Sequence, residues 1–91
     1  MLKFDNSNDE FNFHDTLAAM FAHGDATIAQ HISNTYTLVC NLDNKDEANN
    51  LLNALVDYAL GVYHAAESTG NDYLATNAHV IYTTMLWAWI D

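Results

Sequence analysis

Histidines, one cysteine and twelve carboxylates are the side chains of this 91-residue chain that could do chemistry, and their spacing decides whether they can. His64 and Glu67 stand three residues apart, and Asp57 lies two turns before His64, so a single helix face could hold an imidazole between carboxylates. The di-iron bundle pattern needs Glu-x-x-His on two helices plus further glutamates. Here the order is reversed, the pair occurs once, and the chain contains only Glu10, Glu47 and Glu67. The expectation is therefore no metal and no cofactor. His14, His23, His31 and His79 are scattered; they read as polar surface or hydrogen-bonded core residues, and His23 beside Gly24 suits a helix C-terminus. Cys40 is alone, which excludes an internal disulfide and any multi-cysteine zinc site, and it reads as a buried apolar thiol. No Gly-x-Ser-x-Gly elbow and no glycine-rich loop with a lysine occurs, and Asp46-Glu47 reads as the first turn of a helix. The chain is not expected to be an enzyme.

What remains is charge. Twelve acids face two bases, Lys3 and Lys45, with no arginine, for a formal net charge of −10. Charged residues make up 15% of the chain, below the roughly 25% of an ordinary soluble domain. The imbalance thus comes from missing bases. Such a surface repels nucleic acid and anionic lipid and attracts basic surfaces over a Debye length of about 8–10 Å. Asp9, Glu10, Asp25, Asp43, Asp46, Glu47 and Asp72 fall at or near predicted helix starts, where a carboxylate caps backbone N–H groups whether or not a partner exists. Capping accounts for those positions. It does not account for the lack of lysine and arginine on exposed helix faces and in final turns.

The elements that must position these residues follow from periodicity. Proline is absent, and Gly24 and Gly70 follow helical patterns as C′ residues do. A first helix is predicted over 9–23 with Leu17, Ala18 and Phe21 on its face beside Phe13, His14 or Met20, and a second from an Asp25 cap through Ile28, Ile32, Thr35 or Tyr36, Val39 and Leu42. Residues 35–40 are β-branched and aromatic and also alternate, so they read as a short strand as well; helix is preferred because no second strand is evident to pair with it. A third helix runs from a cap at Asp43 or Asn44 to Ser68, with Gly61 marking a close helix contact. A fourth starts at Asn71 or Asp72, buries Leu74, Ala75, Ala78, Ile81, Tyr82, Met85 and Trp89, and reaches the C-terminus. Short connections make these an all-α, antiparallel bundle of three to four helices in a single domain spanning 1–91, with residues 1–8 as a loose N-terminal arm. No apolar run approaches the roughly 20 residues of a membrane span, and the polar start at Lys3 and Asp5 has neither a signal-peptide core nor transit-peptide arginines; a cytoplasmic location is expected.

In size, single-domain organisation and acid excess the chain resembles small acidic phage-encoded inhibitors of host defence, the anti-CRISPR and DNA-mimic proteins. The likeness lies in composition and in no motif, so it implies a mode of action and transfers no site residue. It implies carboxylates on rigid helices standing in for phosphates in the basic groove of a nucleic-acid-binding host complex, in the host cytoplasm if the chain is viral, with no direct binding of nucleic acid and none to membrane. The residues assigned to partner binding are Asp46, Glu47, Asp57, Glu67, Trp87 and Trp89. The last two carry an alternative reading. Large apolar groups occur on more than one face of the last segment, so Trp87 and Trp89 could serve an acidic helical homo-oligomer, most simply a homodimer, acting as a structural or assembly module.

Overall fold

A computed structural model describes all residues, 1–91, as four helices and one short ribbon: β1 (Leu2–Lys3), α1 (Ser7–Ala22), α2 (Ala26–Asn41), α3 (Lys45–Ser68), α4 (Asp72–Leu86) and β2 (Trp89–Ile90). Helix boundaries are written locally. Asn6, Asn44 and Asn71 each accept a backbone N–H three residues on, from Asp9 at 2.8 Å, Glu47 at 3.0 Å and Leu74 at 3.2 Å, which satisfies donors the helix cannot. Asp25 occupies the cap position of α2 without a side-chain bond. Helices α1 and α3 end on glycines with φ of 90° and 74°, a conformation that costs a β-carbon dearly. Those turns let Asp25 N–H reach the Met20 carbonyl and Asn71 N–H reach the Ala66 carbonyl, the six-to-one bonds of Schellman ends.

The two tight turns and the short Leu42–Asn44 link make consecutive helices antiparallel. Contacts close the square from α1 to α2, α2 to α3, α3 to α4 and α4 back to α1. Phe13, Met20, Ile32, Leu55, Ile81 and Met85 fill the centre. The most extensive contact is α3 with α4, where Ala59, Ala66, Ala75 and Ala78 are buried. The all-α antiparallel bundle is thus the fold, with four helices.

The preferred helical reading of residues 35–40 holds, and several other local expectations are corrected. Residues 35–40 are helical, since Tyr36 and Val39 face inward while Leu38, at 56% exposure, and Cys40 face solvent; an alternating strand would have put Tyr36, Leu38 and Cys40 on one side. The strands lie at the two chain ends instead. Leu2 pairs with Ile90 and Lys3 with Trp89, antiparallel, and Phe4 packs on Phe13 with ring centroids 5.8 Å apart. The first eight residues are therefore docked, not loose. Helix α4 stops at Leu86, and Trp89 leaves the buried stripe to Ile90. On α1 the inward face is Phe13, Thr16, Leu17 and Met20, with Ala18 and Phe21 turned outward. Gly61 is exposed and a β-carbon there would meet nothing within 4 Å, so it marks no close contact.

Candidate partner-binding surface

Positions along α3 set the geometry of the acids. Its buried residues, Ala48, Leu52, Leu55, Ala59 and Ala66, form one stripe. At 100° per residue Asp46 and Asp57 point almost directly away from it, about 16 Å apart along the axis. Glu47 and Glu67 flank that outer line on opposite sides, and Glu67 lies about 30 Å beyond Glu47. The six assigned residues are all exposed and do not form one site. Asp46, Glu47, Trp87 and Trp89 share one end of the bundle, because the start of α3, the end of α4 and the ribbon meet there. Asp57 stands midway, and Glu67 sits at the opposite end.

Alternation of helix direction brings more acids to the first end. In this bundle α1 and α3 both start where α2 and α4 finish. The first turn of α1 carries Asp9 and Glu10, and that of α3 carries Asp46 and Glu47. Asp5, Asp43 and Asp91 lie in the adjoining connections and terminus. Seven of the twelve carboxylates thus collect at the ribbon end, together with both lysines. No salt bridge joins any two side chains. The ribbon orders this end further: Leu2 and Ile90 point into the core, so their neighbours Lys3 and Trp89 share the outward face. Trp87 is 64% and Trp89 47% exposed, with Leu86 and Met1 also in solvent. The sequence had the signal for this clustering, since N-cap acids on every second helix of an up-down bundle must share an end.

Two tyrosines have perturbed hydroxyls. Tyr36, in a cavity of about 460 Å³ shared with Lys3, Phe4, Glu10 and Cys40, is pushed up to about 12, first by burial and then by Cys40 and Glu10. Cys40 itself is exposed, which corrects the expectation of a buried thiol; it lies one turn from Tyr36 on the flank of α2 rather than on its Ile32–Val39 face. Tyr63 is raised chiefly by the Glu67 carboxylate one turn along α3. Glu67 and Asp72 line a shallow groove of about 400 Å³ with Tyr63, Thr76 and His79.

The histidines are all exposed, and each lies against a tyrosine ring. His14 meets Tyr36 at 5.6 Å between α1 and α2, His31 meets Tyr58 at 4.3 Å between α2 and α3, and Tyr63 meets His79 at 5.2 Å between α3 and α4. His23 meets Tyr73 at 5.0 Å between α1 and α4, and His64 meets Tyr63 at 5.4 Å within α3. Every seam of the square therefore carries a His–Tyr ring contact, edge-on at His14 and tilted at the others. No three His, Cys, Asp or Glu side chains converge as a metal-holding group. No helix is long and apolar enough to cross a membrane. Comparison with protein-family models, with curated proteins and with solved structures finds no match to this chain.

Proposed function

We propose that the chain is an acidic binding protein, not an enzyme, that inhibits a nucleic-acid-binding host complex by occupying its basic groove. One observation carries the reading: twelve side-chain carboxylates are held on a compact helical scaffold with no side-chain ion pair to neutralise them. The magnitude supports competition with a polynucleotide. A net charge of −10 over a long axis of 38 Å is about one charge per 4 Å, close to one DNA strand at about 3.4 Å and less than half the density of a duplex. That field steers a basic partner and raises its association rate.

The test is direct competition. Proteins retained from nuclease-treated host lysate at low salt are purified, and displacement of labelled nucleic acid from them is followed as this chain is added. Competitive displacement that weakens steeply between low and moderate salt supports the proposal. Retention that ignores salt, or simultaneous binding of chain and nucleic acid, refutes it. Exposure of Trp87 and Trp89 favours a second reading, a self-assembling acidic module. Sedimentation equilibrium giving a stable dimer without partner would favour it.

A further inference from the structure

We infer that the ribbon end of the bundle is the docking face, and that its tryptophans anchor an arginine- or lysine-rich protein surface rather than a second copy of this chain. The inference rests on the proposed function and names the surface that performs it. Trp87 and Trp89 supply what a binding anchor needs, large amphipathic rings standing in solvent, the first at the C-cap of α4 and the second on the short, hydrogen-bonded ribbon. An apolar patch alone would fit a homodimer equally well. Charge decides between the two occupants. Seven carboxylates lie at the same end of the bundle as these rings, against Lys3 and Lys45. A two-fold contact would bring two such negative ends together, which opposes association, while a basic surface meets the same end with attraction. Arginine fits both parts of the face, since its guanidinium pairs with carboxylates and stacks on indole. The outer line of α3 is the weaker candidate, because Asp46 and Asp57 are its only acids and stand about 16 Å apart.

Nona-arginine peptide is the probe, titrated at low salt into isotopically labelled protein, with the two indole N–H signals as reporters. Binding that moves both indoles and the amides of the first turns of α1 and α3, while leaving residues 57–76 in place, supports the assignment. Two variants, each lacking four carboxylates, then separate local from global charge: D9N/E10Q/D46N/E47Q at the ribbon end and D15N/D25N/D57N/E67Q elsewhere. The first should weaken binding about tenfold or more and the second less than about threefold, because only the first removes charge at the ribbon end, and screened charge acts over about a Debye length. Circular dichroism checks that both are folded. Equal losses would overturn the docking face and leave the acidic-binding reading standing. Failure of the unaltered chain to bind the peptide at low salt would overturn that reading itself. Sedimentation showing a dimer whose signals change at the two indoles would assign the face to self-association and overturn the inference.

Discussion

Replacing Gly61 with alanine should stabilise the protein. Glycine in a helix interior costs about 0.8–1.0 kcal/mol relative to alanine, because the unfolded chain has more backbone freedom to lose. Whether that gain is realised depends on space for the methyl group. Gly61 lies inside α3, on its solvent side, and a β-carbon there would meet no atom within 4 Å. No steric term opposes the gain. For a domain of this size roughly 1 kcal/mol corresponds to about 4–8 °C in melting temperature. With a urea m-value of about 1–3 kcal/mol/M the midpoint should rise by roughly 0.3–1 M. Thermal melts by circular dichroism and urea titrations by tryptophan fluorescence measure both. If Gly61 were instead at a tight helix crossing, the methyl group would force backbone shifts costing about 1–3 kcal/mol, and the sign would reverse. A lower melting temperature for G61A would therefore refute the account of α3 as a helix with a free outer face. G70A is the internal contrast. Its φ of 74° is left-handed, so alanine there should destabilise by about 1–2 kcal/mol although space is open.

Phe13 is fully buried and packs 4.8 Å from Tyr36 and 5.8 Å from Phe4, so F13A should cost about 3–5 kcal/mol and lower the urea midpoint at an unchanged m-value. Cys40 is exposed, so a thiol reagent should label one group per chain without denaturant; labelling that requires unfolding would contradict the placement of residues 35–40. Tyr36 is raised in the folded state to about 12 from 10.0, which means that the folded chain keeps a proton that the unfolded chain releases. Stability from this group is present below pH 10 and falls as pH rises towards 12. Alkaline difference absorbance should show one tyrosine ionising last, and Y36F should remove that late step.

Helix existence was legible because long helices with one buried face repeat their pattern many times: α3 spans 24 residues and its capping asparagine and terminal glycine agree with its stripe. Where the pattern was short or two-sided, local reading failed. On α1 both Leu17, Ala18, Phe21 and Phe13, Leu17, Met20 satisfy helical spacing, and only the neighbouring helices select the second set. The ribbon was invisible for a related reason. Two residues at one end of the chain and two at the other carry no periodicity, and their pairing becomes favourable only after the bundle has brought α1's start beside α4's end. Trp89 looked like the next residue of the α4 stripe because spacing cannot report that the helix has stopped three residues earlier.

The acidic surface was half legible, and the missing half is a matter of topology. Each carboxylate near a helix start has a sufficient local reason to be there, which makes Asp9, Glu10, Asp43, Asp46 and Glu47, five of the seven at the ribbon end, look unremarkable one at a time. Direction is what sums them. In an up-down square the starts of α1 and α3 coincide with the finishes of α2 and α4, so two positive dipole ends and two negative ones meet at the ribbon end and largely cancel beyond a turn. The carboxylates do not cancel, since both lysines at that end are outnumbered. At the distance of an approaching partner the helix dipoles are therefore nearly silent and the side-chain charge is what is felt. Favouring a helix N-terminus and recruiting a partner are thus compatible roles of the same first-turn carboxylates, while the side-chain caps are asparagines. They separate experimentally by range: loss of a first-turn carboxylate's interaction with the helix dipole acts within one turn and shows in stability, whereas loss of the summed charge acts over about a Debye length and shows in the salt dependence of association.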